Sequence, residues 1–155
     1  MENEEKVKLL YRGLLAVVMV IVLVVAAAIK IMHPSELLHT FFFIVSLFEI
    51  VLALVVTFFW NRWKIWAFLA LVFSTWGGYS LYAALFGLPC FCLGVAVNLP
   101  RGTSLIVNLL LVAFSWIVLK GFGISRQIAI KLALLSGLLI GLGLASASIL
   151  YSISL

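Results

Sequence analysis

Five stretches almost free of charge, each about as long as a lipid bilayer core is thick, constrain this chain more than any other feature. They run over 9–32, 37–60, 63–88, 101–119 and 128–151. A membrane-spanning helix needs roughly 20 predominantly apolar residues. In hydrocarbon a segment has no water to bond its backbone, so each run must form a helix. The breaks fall on turn chemistry: His33-Pro34-Ser35-Glu36, Asn61-Arg62, Leu88-Pro89, Leu99-Pro100 and Gly121-Phe122-Gly123. Pro34 and Pro100 suit a first helical turn, where a missing N–H costs nothing. The expectation is an all-α integral membrane protein with five transmembrane helices in a single domain, 1–155.

Composition closes off other classes. Apolar residues make up 66% of the chain and charged ones 10%, against roughly 45–50% and about 25% in soluble domains. That balance leaves little for a charged catalytic cleft and argues against nucleic acid as a partner; membrane lipid is the expected surrounding. The first run contains Ala26-Ala27-Ala28, which satisfies a small-x-small cleavage rule. Its apolar stretch exceeds the roughly 7–15 residues of a signal core, so it reads as a permanent helix.

Orientation follows from Lys and Arg in the connections. Lys6, Lys8, Arg12, Arg62, Lys64, Lys120, Arg126 and Lys131 fall on one side of a five-span layout, and Lys30 and Arg101 on the other. This bias predicts an N-terminus in the cytoplasm and a C-terminus outside. The net charge of +5 is then a topological signal, and no anionic partner is needed to explain it.

In this layout both cysteines lie outside, in the loop 89–100, within Pro89-Cys90-Phe91-Cys92-Leu93-Gly94. That compartment is oxidising and lets paired thiols keep a disulfide. A Cys-x-Cys disulfide closes a small, strained ring, and strain favours exchange over stapling. The competing reading is two small buried apolar side chains. From Pro89 to Pro100 the loop carries no charge, which places it at the membrane interface or against the bundle, within reach of a lipid-soluble quinone or a docked protein. Apolar surroundings raise a thiol's pKa, whereas Arg101 and the following helix N-terminus lower it.

His33 and His39 fall on the same side. With the cysteines they offer a soft-metal donor set, but the spacing matches no zinc signature, so no metal is assigned. A histidine can also act as base for a thiol. Glu49 lies midway along the second run, where an acid marks a functional site by default. Its candidate partners are Asn108, Tyr79, Tyr82, Ser74 and Thr75. Two readings stand open for it: a proton relay or quinone contact, or a hydrogen bond that fixes packing. No histidine lies well inside a run, which argues against haem. Gly137, Gly141, Ala145, Ser148 and Ser152 form a small-residue stripe on the fifth helix, suited to close helix contact. Gly141-x-Gly143 follows no strand and is not a nucleotide motif. Tyr11, Trp60, Trp63, Trp66 and Tyr151 sit at run ends and read as an interfacial belt. Trp76 and Tyr79, astride Gly77-Gly78, read as core.

The segment from Trp66 to Gly94, with its Tyr79-Ser80-Leu81-Tyr82 helix and Cys90-Phe91-Cys92-Leu93-Gly94 loop, followed by Pro100 and Asn108-Leu109-Leu110-Leu111, resembles the methylamine-utilisation MauE / DoxX-like family of bacterial membrane proteins. The resemblance covers about residues 37–119, and its specific part is the cysteine loop, with Leu93 where the family often has Phe. It implies a four-helix transmembrane bundle, here with a fifth transmembrane helix added. It further implies a role in periplasmic thiol redox, in which Cys90 and Cys92 oxidise disulfides in, or help assemble, a periplasmic or membrane protein partner, drawing on a quinone. Glu49 and Asn108 match an acid and a polar position of the family's helices. Vitamin K epoxide reductase and DsbB-like bundles use Cys-x-x-Cys, which this chain lacks. The alternative from another class is a non-catalytic subunit or assembly factor of a membrane complex.

Overall fold

The computed structural model describes residues 2–32, 39–88 and 102–154. They form five helices: α1 (Glu2–Met32), α2 (His39–Phe59), α3 (Trp63–Phe86), α4 (Thr103–Gly121) and α5 (Arg126–Ser154). Among the described residues there is no strand. Four helices are long and apolar enough to cross a membrane, within Glu5–Met32, Trp63–Phe86, Thr103–Gly121 and Arg126–Leu150. Their outer faces carry Leu14, Val17, Ile21, Phe68, Ile106, Leu109, Leu134 and Leu138, all exposed. A water-soluble protein rarely shows apolar surface on that scale; lipid accommodates it. The chain is a helical multi-pass membrane protein.

The helix ends follow from local chemistry. α1 begins seven residues before its apolar run because Glu2, Glu4, Glu5, Lys6 and Lys8 are good helix formers or acids at the positive end of the dipole. α3 stops at Phe86, short of Pro89, on a Schellman turn. Gly87 takes the left-handed conformation (φ 66°), and the Leu88 N–H donates to the Ala83 carbonyl at 2.9 Å. Gly102 precedes α4 with φ 87°, and Gly123 ends it with φ 66°. α5 starts behind Ser125, whose carbonyl accepts from the Ala129 N–H at 3.0 Å.

The chain divides into two compact units. In the first, α1 packs on α2. Gly13 lies against Trp60 and Lys30 against Glu49, so the two helices run antiparallel. Their buried residues keep helical spacing: Leu15, Met19, Leu23, Ala26 and Lys30 on α1, and Ser46, Glu49, Ala53 and Val56 on α2.

The second unit comprises most of α3 with α4 and α5. Trp66, Leu69, Ala70, Phe73, Gly77 and Ser80 are buried on α3, and Ser104, Asn108, Leu111, Ser115 and Val118 on α4. Trp66 is 0% exposed. It is a core residue, and the interfacial-belt reading of it is corrected: the side chain turns inward one turn inside α3. Phe73 and Trp76 meet edge to face at 5.5 Å, in keeping with packing for Trp76.

α5 also departs from expectation. Its buried positions are Ser136, Gly143 and Ala147, whereas Gly137, Gly141 and Ala145 are exposed. The backbone meets α3 at Gly143, close to the Thr75 carbonyl and Tyr79 N–H, and at Ile140, whose carbonyl abuts Gly78.

Candidate functional site

Apolar surroundings make an interior polar group without a partner costly. Most hydroxyls find one on their own helix. Thr57 donates to the Ala53 carbonyl (2.8 Å), Ser74 to Ala70 (2.7 Å), Thr75 to Leu71 (3.1 Å) and Ser115 to Leu111 (2.8 Å). Such back-bonding hides the hydroxyl within the helix.

Two polar contacts between helices stand out because both partners are buried. Asn108 donates from Nδ2 to Ser80 Oγ at 2.8 Å and to the Ser104 carbonyl at 3.0 Å. Ser80 in turn donates to the Trp76 carbonyl at 2.9 Å. This chain ties α4 to α3 within the second unit. Polar pairs between membrane helices average about 0.6 kcal/mol and reach about 1.7 kcal/mol. Asn108→Ala should therefore cost about 1 kcal/mol, and Ser115→Ala much less because its bond stays inside α4. A double-mutant cycle of Asn108→Ala with Ser80→Ala, read by detergent-induced unfolding, should return the interhelical bond as its coupling energy.

The other contact is ionic. Lys30 Nζ donates to Glu49 Oε1 at 2.6 Å, with the two side chains 1% and 3% exposed. Among the described residues these are the two charged side chains that are buried. Glu49 Oε2 is enclosed with no hydrogen-bond partner among the described residues. A single ionised side chain at a membrane helix centre costs about 2.5–3.5 kcal/mol on insertion scales. Pairing inside protein offsets that cost, and removing one partner brings it back. Ala26, Ala27, Ser46 and Ala53 supply small side chains on the buried faces of the two helices.

The position of Lys30 corrects the sequence reading in two respects. Lys30 is not a connection charge; it continues the buried face of α1. Glu49 pairs with it, and Ser74, Thr75 and Asn108 make the bonds given above. Sequence spacing carried the signal, since Lys30 follows Leu23 by seven residues and Met19 by eleven, two and three turns along one face. Its place two residues from the end of α1 masked that register.

Of the other expected site residues, His39 opens α2. His33, Cys90, Cys92 and Arg101 lie outside the described residues. Among the described residues, no group of three or more His, Cys, Asp and Glu side chains comes together as a metal cluster would require. In comparisons with known proteins, no family model, curated protein or solved structure matches this chain.

Proposed function

We propose that this protein is a bacterial inner-membrane thiol–disulfide redox protein of the MauE / DoxX-like kind, exchanging through Cys90 and Cys92 with a periplasmic partner. The observation that carries the reading is the uncharged Cys90-Phe91-Cys92 segment between Pro89 and Pro100. The helices on either side of it end on left-handed glycines, Gly87 and Gly102. Support for a fifth span comes from α2, whose 21 residues reach about 31 Å at about 1.5 Å each, close to the roughly 30 Å hydrocarbon core. Five crossings put the termini on opposite sides. With Lys30 inside a buried pair, the basic residues of the connections weigh still more heavily towards a cytoplasmic N-terminus.

The exchange balances as follows. A partner thiolate attacks one sulfur of the Cys90–Cys92 disulfide, forming a mixed disulfide and releasing the other cysteine as thiolate. The partner's second thiolate then displaces the remaining cysteine. The partner gains a disulfide, and Cys90 and Cys92 end as a reduced pair holding two electrons. The chain has no second cysteine pair, so those electrons leave directly to an external two-electron acceptor, a membrane quinone or another protein. Arg101, two residues ahead of α4, is the basic residue that follows the cysteines in sequence.

A subunit or assembly role is the second reading. It is favoured by α5, where Gly137, Gly141 and Ala145 are exposed side by side. Single-cysteine variants separate the two. Cys90→Ser or Cys92→Ser should trap a partner as a mixed disulfide in native membranes, and Cys90→Ser/Cys92→Ser should abolish oxidation of that partner. Unchanged partner oxidation in the double variant would eliminate the redox reading and leave the subunit role.

A further inference from the structure

The Lys30–Glu49 pair has more open chemistry than a structural clamp requires. A buried ion pair repays its desolvation when the geometry is close and the remaining lone pairs are hydrogen-bonded. Here the first condition is met, with Nζ and Oε1 at 2.6 Å. The second is not, because Oε2 has no donor among the described residues. We propose that the pair is a proton-loading site, in which Glu49 binds a proton at Oε2 while Oε1 keeps its contact with Lys30.

The two carboxylate oxygens divide the work. Oε1 is held by the ammonium, so a proton arriving there would have to displace it. Oε2 is free to take the proton without breaking the contact. Loading adds one proton, breaks no bond and takes the pair from neutral to a single positive charge. The new O–H then acts as a donor, and the Lys30 ammonium still donates to Oε1.

Enclosure fixes the class of ligand. With the side chains 1% and 3% exposed, a solute of any size is excluded, and a proton is what fits. Among the described residues of α1 and α2, few other charges bear on the site. From α1 the facing charge is Lys30; Arg12 lies about five turns away along that helix. On α2 the other titratable residue is His39, ten positions before Glu49. The buried Ser46, one turn before Glu49, adds a hydroxyl on the same face. This inference is independent of the thiol chemistry and survives if that reading fails.

The test uses the full chain in phosphatidylcholine nanodiscs. Dicyclohexylcarbodiimide modifies protonated carboxyl groups in apolar surroundings, and mass spectrometry locates the adduct. Glu49 modification should rise several-fold as the pH is lowered across the range in which the protein stays folded. In parallel, the infrared carbonyl band of a protonated carboxyl should grow with the same midpoint and vanish in Glu49→Gln. Lys30→Met should leave Glu49 modified across the whole range. Absence of both adduct and band at every pH would mean a permanent ion pair and overturn the proposal. A band of constant size would mean a permanently neutral acid and overturn it equally. Should Lys30→Met fail to fold, the wild-type titration decides alone.

Discussion

Replacing Lys30 by methionine should destabilise the first unit by about 3–5 kcal/mol, the range measured when one partner of a buried ion pair is removed. The loss arises because Glu49 stays behind in a site that is 3% exposed, where it must take up a proton and its oxygens lose the Lys30 donor. Adding Glu49→Leu to Lys30→Met should restore most of the stability, since an apolar pair avoids the desolvation cost altogether. Glu49→Leu alone should be milder than Lys30→Met. Lys30 stands two residues from the end of α1 and its long stem can carry the ammonium toward the interface, a route that Glu49, ten residues inside α2, does not have. Detergent-induced unfolding of the four proteins closes the cycle. Single losses below about 1 kcal/mol that simply add in the double variant would show an uncoupled pair and refute the argument.

What the sequence disclosed depended on the kind of signal. Apolar run length and turn residues mark helices well, because hydrocarbon allows a chain few alternatives. Hence α3, bounded by Arg62 and Gly87, and α4, bounded by Gly102 and Gly123, fall close to the expected limits. Facing direction is a weaker signal, since apolar residues surround each helix and the contrast between a lipid face and a protein face is small. Trp66 shows this: its place at a run end suggests the interface, yet it is fully buried. Lys30 shows it again. A lone charge at the end of an apolar run has the same appearance in a loop as in a buried pair, and only the register with Met19 and Leu23 tells them apart. The acid at Glu49 was legible as a candidate site because a carboxylate in that position is costly wherever it points.

The sharpest test of facing direction lies on α5. Alanine at Gly78 or at Gly143 should destabilise the second unit by about 2–3 kcal/mol, at the upper end of overpacking costs. A Cβ on Gly78 would run into the Ile140 carbonyl, and one on Gly143 into the Thr75 carbonyl. Both obstacles are backbone, which cannot rotate aside as a side chain can, so the helices must separate and lose their contact. Gly137 and Gly141, the glycines of the expected stripe, have open space where a Cβ would stand. Alanine at either should change stability by no more than about 0.5 kcal/mol, as at ordinary surface positions, or raise it slightly through better helix propensity. The physical reason is angular. Two residues along a helix turn the side chain by about 200° at 3.6 residues per turn, so Gly141 and Gly143 look in nearly opposite directions despite being near neighbours in sequence. Thermal unfolding of the four single variants in one detergent decides the matter. Sensitivity at Gly137 and Gly141 with tolerance at Gly78 and Gly143 would put the contact face of α5 on the expected stripe and refute the packing described for α3 and α5.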